Sequence, residues 1–204
     1  MIFYFRIFVF ILFFGFSIQP AFANQIQQTQ KLIKIFKQVI VSEKGKTLSA
    51  SQIKTNEQTF KKLDEYFNYS AIAQAAIAGF EKNFSKKELE EYNALFASLI
   101  CKIAYPNTKT FFDKSSYKLS QEIMKKDPYQ ITTLNAHSNQ ENIDTEVGFV
   151  WSMANSAERI IDVTFDGDSL VQSYKNQFAR IIAKEQSAGL LNKLRMKYQE
   201  LNKT

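Results

Sequence analysis

Apolar residues recur on every third or fourth position through the first half of this chain, which is the spacing of amphipathic helices. The spacing predicts four helices there, over Asn24–Val41, Ser49–Tyr66, Ala71–Ala78 and from Ser85 to about Ala104. Ser70 is expected to cap the third helix, and Ser85 with Glu88 is typical of a capping box at the start of the fourth. Pro106 is expected to kink or end that fourth helix.

Beyond Tyr117 the apolar period changes to two. Alternation predicts four strands, over Tyr117–Lys125, Tyr129–His137, Ile143–Met153 and Ile161–Asp166. Their short connections indicate an antiparallel meander with one apolar face. Two more helices follow, separated at Ser187–Gly189. The predicted fold class is therefore α+β, with helices flanking an antiparallel sheet of at least four strands, and residues 24–204 are predicted to form a single domain.

The first 23 residues differ in composition from the rest of the chain. They contain eight of the 19 Phe residues and one charged side chain, Arg6. An apolar run follows Arg6, then Pro20 interrupts it, and Ala21 and Ala23 supply the small residues of a cleavage site. This order is typical of a secretory signal peptide, with the predicted cut after Ala23. Without this segment the formal charge falls from +6 to +5, since Arg6 is removed, and we expect an exported globular domain.

The residue types that carry catalysis are scarce. His137 is the only histidine and is expected in an exposed loop, which leaves no multi-histidine metal site. Cys101 is the only cysteine, lies in an apolar helical stretch and is expected to be a small buried residue. The lysines are dispersed among acidic residues, so the charge pattern does not favour nucleic acid as a partner. We predict a protein that is not an enzyme and uses no metal or cofactor.

The apolar face of the predicted sheet has two interpretations. It can pack against the helices as a closed core, or it can form one wall of an apolar cavity that the helices cover. Ligand sites are commonly concave and largely apolar. Composition and periodicity leave both interpretations open.

Two segments resemble motifs of a known family. Phe67–Gly79 reads FNYSAIAQAAIAG and resembles the element F-D-F-x-x-M-A-x-x-A-L-G, with Asn68 at the acidic position. Asp162–Phe178 begins DVTFDGDSLV, places aromatics at Tyr174 and Phe178, and is similar to D-V-x-V-E-G-V-S-L-V-x-x-Y-x-x-x-F. Both are hallmarks of the toluene-tolerance or MlaC family of periplasmic phospholipid-binding proteins. The resemblance covers most of residues 24–201.

This resemblance implies a function and a site. Family members carry phospholipid between membrane-bound transport complexes of the inner and outer membranes, holding it between a curved sheet and helices. The implied lipid-binding residues lie on the sheet face and the facing helices: Tyr105, Val147, Phe149, Trp151, Val163, Phe165, Tyr174 and Phe178. The strand-to-helix turn is expected to be held by Asp162, Gly167 and Ser169, with Gly167 at positive φ and Ser169 as a helix cap.

Three alternatives remain beside a periplasmic phospholipid carrier. The same pocket chemistry suits another lipid, such as a hopanoid. A closed core would instead indicate a periplasmic adaptor that binds proteins and no lipid. An exported hydrolase would require a cleft with a nucleophile near His137.

Overall fold

A computed structural model describes residues 22–43, 46–126, 128–152 and 158–202. The helices are α1 Phe22–Phe36, α2 Ala50–Asp64, α3 Tyr69–Ala76, α4 Lys86–Lys114 and α5 Leu170–Leu201, with a 3₁₀ turn at Glu81–Asn83. The strands are β1 Ser115–Lys126, β2 Tyr129–Ser138, β3 Ile143–Ser152, β4 Arg159–Phe165 and β5 Asp168–Ser169. Most of the predicted signal peptide lies outside the described residues; its last two residues, Phe22 and Ala23, open α1.

The strands form one antiparallel sheet in chain order, β1-β2-β3-β4-β5. Leu134 on β2 lies opposite Leu119 on one side and Val147 on the other, so all three side chains share a face. Helices α1, α4 and α5 contact this sheet, and the core lies between them. The predicted α+β fold is confirmed, with β5 as a short fifth strand that alternation alone does not mark.

A bulge in β4 changes which isoleucine faces the core. Val150 pairs with Asp162 and Trp151 pairs with Ile160, which leaves Ile161 as an extra residue. Ile160 is consequently fully buried and Ile161 only partly so. The alternation that predicts this strand from Ile161 onward cannot register such an inserted residue, so it does not identify Ile160 as the buried position.

Helix α4 continues through Pro106 to Lys114, so the prediction that the helix ends near Ala104 is wrong. Pro106 removes one backbone donor from the helix interior. The flanking turns are held by packing instead, since Tyr105 and Phe112 are both almost fully buried. Thr110 Oγ1 also donates to the Pro106 carbonyl oxygen at 3.0 Å.

The N-terminal cap of α4 is the predicted one, whereas the cap of α3 differs from the prediction. Ser85 and Glu88 form the predicted capping box, with Ser85 N donating to Glu88 Oε2 at 2.7 Å. For α3 the cap is Asn68, whose Oδ1 accepts from Ala71 N at 3.1 Å, and not Ser70. The prediction of Ser70 is wrong because an Asn side-chain oxygen caps as well as a Ser hydroxyl, and the helix begins earlier than predicted, at Tyr69.

Helix α5 contains one non-helical residue, Gln186, at φ 60° and ψ −172°. The predicted separation of two helices at Ser187–Gly189 is thus present one residue earlier, as a kink. Ser187 is buried after the kink and its Oγ donates to Glu88 Oε1 on α4 at 3.3 Å. Arg195 then binds Glu91 through two nitrogens at 2.5 and 2.8 Å, which fixes the last part of α5 on α4.

A polar chain in the core joins α1 to the sheet. Trp151 Nε1 donates to Thr132 Oγ1 at 3.0 Å, and Thr132 Oγ1 lies 2.8 Å from Thr29 Oγ1. Thr29 Oγ1 also contacts the carbonyl oxygen of Gln25 one turn earlier at 2.8 Å. The indole donor is therefore satisfied although Trp151 is only 1% exposed.

Candidate functional site

An apolar cavity of about 300 Å³ lies between β3, β4 and the helices α1, α3, α4 and α5. Its wall is made almost entirely of aromatic and aliphatic side chains. The lining residues are Phe36, Phe67, Tyr69, Ile72, Ile100, Ala104, Tyr105, Asn107, Thr108, Phe111, Phe112, Val147, Phe149, Asp162, Val163, Phe165, Leu170, Val171 and Tyr174. Such a space takes a small apolar ligand.

The cavity has a buried end and an exposed end. Phe36, Val147 and Phe149 are each less than 5% exposed and form its inner part. Phe165 is 43% exposed, and Asn107 on α4 is also exposed, so these two residues mark the mouth. A ligand with an apolar tail and a polar end can therefore bury the tail and leave the other end in water.

Six of the eight residues expected at the site line this cavity: Tyr105, Val147, Phe149, Val163, Phe165 and Tyr174. Trp151 and Phe178 lie outside its wall. Trp151 points to Thr132 and α1, and Phe178 packs on Phe96 with ring centroids 5.4 Å apart. Both side chains belong to the packed core. They have the same periodicity as the lining residues, so the sequence alone could not separate the two groups.

Aromatic residues outside the predicted set of eight also line the cavity, among them Phe36, Phe67 and Tyr69. The Phe36 ring lies 5.7 Å from Tyr105 and 6.3 Å from Phe112, measured between centroids. Phe67 lies 6.3 Å from Tyr105 and stacks on Tyr69 at 5.7 Å. Phe67 and Tyr69 both belong to the first quoted motif, which was therefore a usable signal for the cavity wall.

Two tyrosine hydroxyls at the wall are turned toward an acidic residue. Tyr105 OH donates to Asp64 Oδ1 at 2.7 Å, and Tyr69 OH is hydrogen-bonded to Tyr105 OH. Because Tyr105 gives its single proton to Asp64, Tyr69 must donate to Tyr105. Burial raises the pKa of both phenols, so both stay neutral. Their donors are thus used within the protein and the cavity keeps an apolar wall.

Cys101 lies beside this cluster, partly buried against the core, where the sequence predicted a small buried residue. Its Sγ donates to Asp64 Oδ1 at 3.4 Å. Burial raises the pKa of the thiol from 9.0 to about 11, so it stays protonated near neutral pH.

The turn from β4 into α5 closes one side of the mouth. Asp162 Oδ2 accepts from Ser169 Oγ at 2.5 Å, and its Oδ1 accepts from Val171 N at 3.1 Å. Ser169 caps α5 by accepting from Gln172 N at 2.9 Å. Between them Asp166 and Gly167 both have positive φ, as a tight hairpin turn requires.

The alternation pattern places Asp162 on the polar face of the sheet, and Asp162 also borders the cavity. Its two carboxylate oxygens accept three hydrogen bonds within the turn, from Val163 N, Val171 N and Ser169 Oγ. The side chain therefore holds the turn at the cavity edge, in the geometry expected of a structural residue.

His137 lies on β2 and is partly buried, not in a loop as the sequence suggested. Its Nδ1 is 2.8 Å from Asp144 Oδ1, and Ser116 lies opposite it in register on β1. All three border an open polar groove of about 650 Å³. No hydrogen bond joins Ser116 to His137 within the described ranges, so the nucleophile–base contact of a hydrolase is missing there.

The part of the chain that the structure describes holds no cluster of His, Cys, Asp and Glu side chains with the geometry of a metal site. It also includes no helix whose length and hydrophobicity together suit a membrane span.

The fold and cavity define the class: an α+β protein in which helices close one face of an antiparallel sheet over an apolar pocket. The profile of the family described as "MlaC protein" matches residues 28–196. The chain belongs to the MlaC family. No curated protein matches its sequence.

A solved structure shares this fold. It is the phospholipid-binding protein from Ralstonia solanacearum, determined in complex with a phospholipid. The TM-score is 0.63, the sequence identity is 14%, and the match covers 89% of this chain and 97% of that one. At this identity the likeness concerns the fold.

Proposed function

We propose that this protein is an exported phospholipid-binding carrier that holds acyl chain in the cavity between sheet and helices. The observation that carries the proposal is the cavity, which is almost wholly apolar, has a buried inner part and opens at the end marked by Phe165. Family membership and the phospholipid complex of the Ralstonia protein support the same ligand class.

The physical requirement on such a carrier is burial of hydrocarbon. Moving a methylene from water into an apolar space is worth about 0.8 kcal/mol, so a carrier must replace the burial that the membrane provides. The wall supplies this surface, and the hydroxyl donors of Tyr105 and Tyr69 are used by Asp64 and Tyr105. Binding of this kind needs no nucleophile or metal, which is why we propose a binding protein rather than an enzyme.

The alternatives differ in how they fit the cavity. A closed-core adaptor has no use for an apolar space of about 300 Å³ between its sheet and helices. A hopanoid or other lipid would also contact an apolar wall, and analysis of the bound lipid separates it from phospholipid.

The direct test is lipid analysis of the protein purified after export from its full-length chain. Organic extraction and mass spectrometry should recover phospholipid in stoichiometric amount. Protein that carries no lipid, and takes none from phospholipid vesicles, would contradict the proposal.

Two tryptophan substitutions on α4 connect the binding to the cavity. Ala104 lines the cavity and Ala94 is exposed on the same helix. A104W places an indole inside the space and should lower lipid recovery several-fold, whereas A94W should leave it unchanged. Thermal unfolding of both variants checks that any loss does not come from misfolding. Equal recovery from the two variants would place the lipid elsewhere.

The periplasmic location and the membrane partners are further parts of the proposal. Cleavage of a signal peptide after Ala23 predicts that the exported protein begins at Asn24, which N-terminal sequencing measures. Crosslinking in intact cells, followed by mass spectrometry, should recover membrane-bound lipid transport complexes of the inner and outer membranes.

A further inference from the structure

We propose that Asn107 and Thr108 form a polar subsite at the mouth of the cavity, and that they donate hydrogen bonds to the ester carbonyl oxygens of the bound phospholipid. This inference rests on the proposed function and names the part of the ligand that the protein recognises besides its hydrocarbon. The observation is that both side chains line the cavity with hydrogen-bond donors that no other described residue uses.

Three other polar side chains of the cavity wall are committed to bonds within the protein. The Asp162 carboxylate accepts three hydrogen bonds in the turn from β4 to α5. The hydroxyl of Tyr105 donates to Asp64, and the hydroxyl of Tyr69 is bonded to that of Tyr105. A carboxylate only accepts and each phenol has a single proton, so these side chains have no donor left for a ligand.

Thr108 differs from the other threonines in the described helices. Each of the others donates its hydroxyl to the carbonyl oxygen four residues earlier, at 2.8 to 3.0 Å; they are Thr29, Thr55, Thr59 and Thr110. Thr108 Oγ1 makes no hydrogen bond to another described residue, although Thr108 is partly buried and lines the cavity. Its donor is therefore available to a group that enters the mouth.

Asn107 offers a second set of donors beside Thr108. It is exposed at the mouth, and its amide makes no hydrogen bond to another described residue. Adjacent residues of a helix point about 100° apart, so the two side chains approach a ligand from different directions. A few polar groups placed in this way at an apolar pocket fix the orientation of its ligand.

The position of this pair suits the ester groups of a phospholipid, which lie between the hydrocarbon and the charged head. With hydrocarbon against Phe36 and Phe149 in the buried part and the head in water beyond Phe165, the ester groups lie at the mouth. An ester carbonyl accepts hydrogen bonds and donates none. It therefore requires donors of the kind that Asn107 and Thr108 supply.

The charges around the mouth favour the neutral ester carbonyl over the phosphate as the group that is recognised. Lys109, which follows Thr108 in the chain, is paired with Asp113 on the next turn of α4. Asp166 and Asp168 are exposed in the turn that closes the other side of the mouth. A phosphate is bound best by cations that are not already paired, and it is repelled by carboxylates.

Tyr174 is the remaining polar side chain of the wall, and its hydroxyl also makes no hydrogen bond to another described residue. Its ring packs against Phe96 and Phe178, with centroids 5.1 and 5.7 Å apart. Phe96 lies three turns before Thr108 on α4, so Tyr174 is well inside the mouth. Tyr174 is therefore placed against the hydrocarbon and not against the ester groups.

The experiment is a competition between two lipids that differ only in their linkage. Delipidated protein is mixed with vesicles that contain equal amounts of dioleoylphosphatidylcholine, a diester, and dioleylphosphatidylcholine, its diether analogue, and mass spectrometry measures the lipid that the protein takes. A hydrogen bond of ordinary strength to the ester should give an excess of the diester of about two- to tenfold. Equal uptake, or an excess of the diether, would overturn this inference and leave the proposed function standing. Uptake of neither lipid would overturn both.

Three variants test whether Asn107 and Thr108 produce the preference. T108V removes the hydroxyl at nearly constant volume and N107A removes the amide, so each should reduce the diester excess several-fold. T110V makes the same Thr→Val change on the same helix outside the cavity wall and should leave the excess unchanged. Thermal unfolding checks that each variant is folded, and N107A, at an exposed position, keeps the test if T108V fails to fold.

Two outcomes with the variants would assign the preference elsewhere. A diester excess that persists in folded T108V and N107A, or that falls equally in T110V, would overturn the proposed subsite. Y174F gives the second outcome: loss of the excess in Y174F but not in T108V or N107A would place the ester groups deep in the cavity and would also overturn it.

Discussion

Gln186 is the residue at which a single substitution should stabilise this protein. Its φ of 60° and ψ of −172° lie in a backbone region that only glycine adopts readily. The conformation is imposed by its surroundings, because Ser187 is buried directly after it and bonded to Glu88. Gln186→Gly should therefore remove strain without changing the kink.

The expected change in the free energy of unfolding is the difference between two opposing contributions. Strain at such a residue costs about 1–3 kcal/mol, and glycine adds about 0.5–1 kcal/mol of conformational entropy to the unfolded chain. The net gain is about 1 kcal/mol in the free energy of unfolding. For a chain of this length that gain raises Tm by roughly 2–4 °C.

The assay is urea or thermal unfolding, followed by the emission of the single tryptophan, Trp151, which is buried. Gln177→Gly is the matched control, since Gln177 is exposed on the same helix at an ordinary helical position. That control should lose about 1 kcal/mol. If Gln186→Gly loses stability to the same extent as the control, the reasoning about strain is refuted.

Three other outcomes are expected. Asn68→Ala should cost about 1 kcal/mol by loss of the α3 cap and Ser70→Ala much less, as measured by urea unfolding; equal losses would restore Ser70 as the cap. Trp151→Ala should cost about 3–5 kcal/mol because it empties a core position, and circular dichroism melting should register it; a loss below 1 kcal/mol would contradict the core placement. Stability should be full below pH 9 and fall as pH rises toward 11, because the pKa of the Cys101 thiol is 9.0 in its ordinary state and about 11 when folded. Cys101→Ala should reduce that alkaline decline in urea midpoints, and an unchanged decline would assign it to the buried tyrosines.

The sequence predicted the helices and strands well where a local residue pattern alone determines them. Alternation located four of the strands, and short connections set their antiparallel order. The Ser85 capping box located the start of α4 to the residue. These features depend on neighbours in the chain, which a sequence displays directly.

The sequence-based predictions failed where contacts between residues far apart in the chain determine the structure. Pro106 stays inside α4 because buried residues on both sides hold the helix, and no local rule includes that energy. The bulge at Ile161 exchanges which residue is buried, and it is visible only in the pairing with β3. Trp151 and Val147 share a face and an alternation pattern, yet only Val147 reaches the cavity.

The cavity itself was an open question from the sequence. A filled core and a lined space use the same apolar residues, and the difference between them is the distance between layers. The family resemblance favoured the lined space. It did not supply Phe36, which is far from both motifs in the chain and reaches the wall through the packing of α1.

The order of the sheet has a consequence for how the molecule is made. Each strand pairs with the strand next to it in the chain, so the sheet forms through local hairpins without waiting for distant segments. The cavity is different, because its wall begins at Phe36 and is complete only at Tyr174. A chain that emerges N-terminus first therefore has a paired sheet before it has a place for a ligand, and no N-terminal fragment that stops short of Tyr174 contains the whole site.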